Sequence, residues 1–473
     1  MPRAVTTATR VGALAAALAL GGCMSFVPAY QRPAAPVADA YPPGLMPAGA
    51  AGVPAAADID WQRYFIDARL KRLIGIALAG NRDLRVAVLN IEQARAAYRI
   101  KRADELPSVG AGVSAQRIAF GGSGLINLYS AGLQTTGYEL DLFGRVRALS
   151  QAALAQYLAT EEARKAVQIA LVASVANTYV SLLADDELLR VTRETLATRE
   201  DSFKLTRLKF DHGASSELDV RQAEQLLEGA RVALAQARRQ RALDTNALVL
   251  LLGQPVPADL PPAAPLADQQ ALPDLPAGLP SELLTRRPDV LAAEQQLRSA
   301  NANIGAARAA FFPRITLTAN AGTASTALSG LFKSGSFAFT GSATLLEPIF
   351  DAGRNQAGLD VAKVNKDIAI AQYEKAIQTA FREVSDALAG RATLGEQMRA
   401  QAAQAQAAQV SFKLADLRYR NGASSYLDLL DAQRSLFAAQ QALVQVQALQ
   451  VQNLITLYKV LGGGWTEPAV AAN

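Results

Sequence analysis

Residues 203–219 and 412–428 are near-copies of each other. The first reads Phe-Lys-Leu-Thr-Arg-Leu-Lys-Phe-Asp-His-Gly-Ala-Ser-Ser-Glu-Leu-Asp. The second reads Phe-Lys-Leu-Ala-Asp-Leu-Arg-Tyr-Arg-Asn-Gly-Ala-Ser-Ser-Tyr-Leu-Asp. Ten of the 17 positions are identical at a constant offset of 209, without gaps. Such a repeat sets the architecture before any single residue does, because each copy must build the same local unit. Here the unit is helix, tight turn, helix. Gly213 and Gly422 permit a reversal that a side chain would oppose. Ser215 or Ser216, and Ser424 or Ser425, can cap the returning helix. The chain is therefore two related halves, each carrying the same hairpin tip.

The flanks repeat as well. Trp61 to Leu106 reads as two helices broken at Asn81-Arg-Asp83, and Pro107 ends the second. Its counterpart runs from Arg287-Pro-Asp289 to Phe312 and is closed by Pro313, with the same spacing from Asp to Pro. After each Pro the period changes from helix to strand. Residues 315–321 and 336–345 alternate apolar with polar, and 108–116 does so more weakly. Gly121-Gly-Ser-Gly124 and Ser329–Gly335 read as hairpin loops. The count is four strands, two per half. Four cannot close a barrel, and open edges in a bilayer leave backbone groups unpaired at a cost of several kcal/mol each. If these strands cross a membrane, several chains share one barrel: two would give eight strands with a filled interior, three would give twelve and a channel.

Helices fill the rest. Residues 142–210 and 354–420 are long uninterrupted runs, on the order of 100 Å each at ~1.5 Å per residue. The return helices are 217–252 and 426–461. Ala223, Leu227, Ala230, Leu234 and Ala237 step by four and three, as do Ala432, Leu436, Ala439, Leu443 and Val446. This is a heptad seam with small knobs. Plain antiparallel hairpins would need only one such seam. Leu252-Gly253 and Leu461-Gly462 are stop signals.

Arg3 and Arg10 precede an apolar run, Val11 to Leu20, too short to span a bilayer. Gly21-Gly22-Cys23 follows and resembles a bacterial lipobox, in which Cys23 becomes the acylated first residue carrying diacylglycerol and N-acyl lipid. An ordinary signal peptide with a stray Cys is the alternative. Met24, where an Asp would favour inner-membrane retention, points to the outer membrane. The organisation expected is a signal peptide at 1–22, an acylated tether at 23–60 and a first repeat at 61–253. A Pro-rich linker at 254–280, a second repeat at 281–463 and a tail at 464–473 complete it.

Half of the 473 residues are apolar but only 6% are aromatic, which suits helices packed closely on Ala. Basic and acidic residues (47 and 42) are interspersed, so there is no nucleic-acid footprint. Cys23 and His212 are the single Cys and His. They cannot build a disulfide, a Cys/His metal cluster or a Cys–His pair. His212 reads as a solvated turn residue. Neither a catalytic residue nor a metal site is expected.

Arg286-Arg-Pro-Asp-Val290, Ile304-Gly-Ala-Ala-Arg-Ala-Ala-Phe-Phe-Pro313, Tyr138-Glu-Leu-Asp-Leu-Phe-Gly-Arg145 and Tyr419 through Arg434 together resemble the outer-membrane efflux proteins. The likeness is to the lipoprotein OprM/NodT-type channels of tripartite pumps and, more distantly, to TolC. It runs from about Cys23 to the end of the last helix. The resemblance implies a mainly α fold with a transmembrane β part: a homotrimeric twelve-stranded barrel in the outer membrane and a long α-helical barrel in the periplasm. It also implies a periplasmic membrane-fusion adaptor and an inner-membrane RND pump as partners.

On this resemblance Asp428 and Asp431 match aspartates that ring the periplasmic aperture. Asp219 matches a third acidic position and Tyr419 a tyrosine of the gate. Ser424 stands where TolC has a gate arginine. The turns Gly213-Ala214-Ser215 and Gly422-Ala423-Ser424 match tips that meet the adaptor. Turn chemistry alone accounts for their Gly and Ser, but not for the repeated Phe203, Lys204 and Leu205, which suggests a docking surface. Asp428 and Asp431 share one helix face, and solvated acids at a helix start remain the plain alternative. The function expected is a passive, gated efflux conduit. A protein-secretion duct, a metal-ion efflux channel and a periplasmic coiled-coil lipoprotein are the alternatives.

Overall fold

The computed structural model describes residues 24–42, 54–120, 124–270, 272, 275 and 282–465. The expected signal segment with Cys23, residues 43–53 of the expected tether, the centre of the first hairpin loop, part of the linker and the end of the tail lie outside the described residues. Short helix α1 (Trp61–Tyr64) leads into α2 (Ala68–Gly80) and α3 (Arg82–Ala103). Strands β1 (Gly110–Phe120) and β2 (Gly124–Glu139) precede α4 (Arg145–Asp211) and α5 (Glu217–Leu252). The second half follows the same plan: α6 (Leu283–Arg286), α7 (Pro288–Ala309), β3 (Arg314–Ser325), β4 (Phe337–Leu346), α8 (Arg354–Arg420) and α9 (Tyr426–Val460). Three helical pieces replace the two expected before Pro107. Asp60 caps α1 and Asp67 caps α2, and each accepts two backbone N–H groups. At the expected break, Asn81 accepts from the Leu84 N–H at 2.9 Å.

The chain divides into two compact units. The first takes residues up to 34, 89–161 and 292–375. It contains one antiparallel sheet in the order β1-β2-β3-β4. Cross-strand partners share a face, and the register sorts those in the middle of the sheet. Ala111, Leu133, Ala321 and Phe339 form one continuous row, while the next row is Gly110, Gln134, Asn320 and Thr340. In these rows one face is apolar over all four strands and the other polar, whereas nearer the β1–β2 turn Arg117 and Asn127 lie on the first face and Ile118 and Ile126 on the second. On the apolar face Val113 is 79% exposed, Phe337 76% and Phe339 66%. No second sheet covers it among the described residues.

Two glycines set the close approach of β2 and β3. Gly132 and Gly322 are direct partners. A Cβ at Gly322 would lie 2.2 Å from the Ala131 carbonyl oxygen, and one at Gly132 would lie 2.5 Å from that of Ala321. The joint between sheet and helices explains the Tyr138–Arg145 motif. Glu139 pairs with Arg145 (2.6 Å) and Arg314 (2.7 Å). Asp141 accepts from the Val146 and Arg147 N–H groups at the start of α4. Phe143 stacks on Phe312 at 5.0 Å.

Residues 24–42 contain no helix or strand, and they are packed. Phe26 stacks on Phe312 at 4.5 Å. Glu294, 2% exposed, accepts from Arg32, Arg298 and the Tyr30 hydroxyl. A buried carboxylate is tolerated only when satisfied in this way.

The second unit holds 35–88, 162–291 and the residues from 376 onward. Its core includes Tyr64 stacked on Tyr458 at 3.9 Å. Arg287, from the Arg-Arg-Pro-Asp motif, joins Asp289 (2.6 Å), Glu383 (2.8 Å) and the Val460 carbonyl (3.1 Å). The repeat predicts the long helices well: α4 runs unbroken, and α8 and α5 occupy 354–420 and 217–252. α4 also carries a stretch apolar enough by composition to cross a bilayer, but 56% of that stretch is buried inside the chain. This is the pattern of a packed core helix.

Asp185 of α4 is buried beside Asp244 of α5, while the neighbouring Asp186 pairs with Arg241. Burial, a proton shared with Asp244 and the Asp244 and Asp186 charges push the Asp185 carboxyl from 3.8 up to about 7, with Arg241 opposing. The folded state thus holds a proton that the unfolded chain releases. Its stabilising effect is complete below the unfolded value of 3.8 and is lost as pH rises through about 7. Asp185→Asn should flatten the fall in thermal midpoint between about pH 4 and pH 7. An unchanged slope in the variant would remove the pair from this role. In the sheet, Gly322→Val should cost about 2 kcal/mol or more by forcing β2 from β3, read as loss of the folded, heat-modifiable band on a gel.

Candidate functional site

The two repeated turns are built alike. Gly213 has φ 73° and Gly422 has φ 72°, the left-handed conformation. The Gly213 N–H donates to Phe210 and the Ala214 N–H to Lys209; at offset 209, Gly422 donates to Tyr419 and Ala423 to Arg418. Each is a Schellman ending of a long helix, with Gly as the residue that reverses it. Ser216 and Ser425 are then the N-caps of α5 and α9.

The copies differ in what their aspartates do. Ser216 Oγ accepts from the Asp219 N–H at 3.1 Å, and Asp219 Oδ2 accepts from the Ser216 N–H at 3.1 Å and from the Ser215 hydroxyl at 2.9 Å. This closes a capping box. Burial pushes the Asp219 carboxyl up, but the Ser216 backbone, Ser216 hydroxyl and Ser215 hydroxyl outweigh it and leave it below its usual range. In the second copy only one arm forms: Ser425 Oγ accepts from the Asp428 N–H at 3.4 Å. The Asp428 side chain is exposed, as is that of Asp431. Both line a groove of about 1100 Å³ between α8 and α9, with Arg418, Ser424, Leu427 and Arg434. The Ser424 hydroxyl is buried without a hydrogen-bond partner among the described residues.

Tyr419 sits where the two hairpins meet. It is buried, with Tyr426, Leu429, Leu430, Ala223 and Leu226 around it. Its hydroxyl is 3.3 Å from Thr206 Oγ1. Lys209 donates to the Tyr419 carbonyl at 3.1 Å and lies 3.8 Å from the centre of its ring. Tyr426 meets the same ring edge-on at 5.5 Å. Burial raises the Tyr419 phenol and pushes that of Tyr426 up to about 12. Both are neutral throughout the physiological range, so this junction is held by packing and hydrogen bonds and does not titrate there.

The structure corrects one inference from the repeat. Phe203, Leu205 and Phe412 pack against the tip core. Packing accounts for the repeated Phe203 and Phe412, whereas Leu205 packs and its counterpart Leu414 is 58% exposed. Lys204, Lys413 and Leu414 remain exposed, as do the Gly-Ala turns and His212. Sequence reasoning missed Thr206, Lys209 and Tyr426. A signal existed for Lys209: it is basic in both copies, opposite Arg418, and supplies the same carbonyl to the turn.

Long helical hairpins and a four-stranded sheet with a bare apolar face are the features that known proteins can be compared with. The family model described as outer membrane efflux protein matches residues 73–254 and 279–463. The chain belongs to the outer membrane efflux protein family. It is 51% identical over 467 residues to the toluene efflux pump outer membrane protein TtgC of Pseudomonas putida, covering 97% of this chain and 96% of that protein. It is 47% identical over 467 residues to the outer membrane protein OprJ of Pseudomonas aeruginosa, with the same coverage. The open state of the Neisseria gonorrhoeae MtrE outer membrane channel superposes with a TM-score of 0.85 at 41% identity, over 93% of this chain and 98% of that one. The protein is an outer-membrane efflux channel, a conduit and not an enzyme.

Ser216→Ala should loosen the first tip by about 1 kcal/mol, roughly a fivefold loss of amide-exchange protection at the start of α5. Ser425→Ala should cost less at the start of α9, because its bond is longer and unreciprocated. Equal losses at the two tips would contradict the asymmetry.

Proposed function

We propose that three copies of this chain join their sheets into one twelve-stranded barrel in the outer membrane, and that their hairpin tips form a gated periplasmic aperture. The sheet carries the reading. Its edge strands β1 and β4 have no partner on their outer sides among the described residues, and its apolar face is bare. Twelve strands pair every edge and leave a channel, whereas eight would leave an interior that side chains fill. A monomeric band under conditions that preserve heat-modifiable oligomers would sink the trimer.

In this assembly Asp428 and Asp431 contribute six carboxylates near the axis. Such a ring draws cations, repels anions and stores like-charge repulsion that favours opening. Asp219 acts at the same level through the shape of its hairpin, since its charge is engaged by Ser215 and Ser216. Tyr419 holds the two hairpins together. The turns Gly213-Ala214-Ser215 and Gly422-Ala423-Ser424 meet a periplasmic membrane-fusion adaptor, and an inner-membrane RND pump delivers the cargo. The relative named for toluene efflux supports small apolar molecules as that cargo. Cys23, outside the described residues, carries the acyl anchor.

Planar-bilayer recordings of Asp428→Ala/Asp431→Ala should show a changed resting conductance and a weaker cation preference. Identical conductance and selectivity would place these residues away from the aperture.

A further inference from the structure

Arg199 of α4 is a buried cation without a counter-charge. It is 6% exposed. Its Nη1 donates to the Leu226 carbonyl of α5 at 3.0 Å, and its guanidinium lies 5.0 Å from the centre of the Phe437 ring of α9. Its Nε has no hydrogen-bond partner among the described residues, and no carboxylate there forms an ion pair with it. Burial and the second cation Arg434 both depress its pKa, with the Tyr426 phenol opposing. A guanidinium removed from water is costly unless an anion meets it.

The repeat shows that the buried cation is specific to this place, since the sister carboxylates Glu224 and Glu228 pair with Arg221 and Arg231 of their own helix. At offset 209, Arg199 corresponds to Ala408, Gln433 to Glu224 and Phe437 to Glu228. The helix facing Arg199 thus has an amide and a ring where its sister helix has two carboxylates one turn apart. Arg199 also borders a cavity of about 140 Å³, lined in addition by Thr195, Thr198, Gln409, Gln433 and Gln440. Glu194 reaches its wall but is held by Arg190 at 2.7 Å. Gln433 Nε2 donates to Ser202 Oγ at 3.0 Å while its Oε1 is buried and unbonded. Turning this amide over lets the Ser202 hydroxyl donate to Oε1 and frees an NH₂ for the cavity.

We propose that this cavity is a binding site for a small monovalent anion of halide size, held by the Arg199 guanidinium and the amide of Gln433 once both side chains turn toward it, since Arg199 Nε and Gln433 Oε1 are packed against protein in this structure. The anion joins helices of both repeats: α4 and α9 through these two groups, α5 through the carbonyl bound to Arg199, and α8 through Gln409. It makes the packing of the two hairpins dependent on the anion in the medium. The site does not rest on the assignment of the aperture.

The test uses the full chain in detergent and bromide as the probe. Crystals grown with bromide should show an anomalous peak in contact with the Arg199 guanidinium. The thermal midpoint should rise saturably as bromide replaces gluconate at constant ionic strength. Arg199→Gln should abolish that response, and the exposed Arg221→Gln should keep it. Gln433→Glu supplies an internal counter-charge, so it should raise the midpoint in gluconate and remove the bromide dependence; it serves even if Arg199→Gln fails to fold. A carboxylate from a neighbouring copy seated on Arg199, the absence of bromide at that position, or an unaltered response in Gln433→Glu would overturn the proposal.

Discussion

A peptide group facing hydrocarbon has no water to bond, and that single constraint governs what this chain can be. Its four strands satisfy one another in the middle and leave β1 and β4 open on their outer sides. The register then sorts side chains so that Ala111, Leu133, Ala321 and Phe339 lie on one face and Gln134, Asn320 and Thr340 on the other. Neither property suits a soluble monomer, where an open edge and a bare apolar face invite aggregation. Together they suit a sheet completed by its own copies and wetted by lipid on one side. The membrane role therefore rests on backbone bonding and strand period, and no individual residue decides it.

The tips show how a duplicated element can diverge without losing its shape. Gly213 and Gly422 reverse the helices by the same two backbone bonds. What differs is the fate of the carboxylate three residues after the cap. In the first copy Asp219 is spent on the turn itself. In the second, Asp428 is left exposed in the groove with Asp431. The same backbone thus yields one structurally committed aspartate and one available for electrostatics.

Most of the fold was legible because the repeat doubled every signal. The helix at 354–420 ends where the apolar pattern and the Asn-Gly turn say it should. Strand β2 could be counted but not located. It is rich in Gly, Ser and Thr, and its alternation is broken by an irregularity between Thr135 and Tyr138. The tether of residues 24–42 was legible as lacking periodicity, but its anchoring depends on Glu294, far away in sequence. Phe203 and Phe412 were misjudged because a repeated aromatic reads equally as core or surface until its neighbours are known. Arg199 was missed because a lone arginine on a long helix normally lies on the surface. Only its surroundings in the fold, a carbonyl and an aromatic ring, expose its lack of a counter-charge.

The packing of Phe26 on Phe312 has a geometric consequence. Three residues of extended chain span at most about 11 Å, and that is the whole leash between Cys23 and a ring fixed to the base of the sheet. The acyl group proposed for Cys23 would therefore act less as a mooring line than as a depth gauge. It would hold the first unit at one height against the bilayer surface, and inserting residues between Cys23 and Phe26 would shift that height before it weakened the anchor.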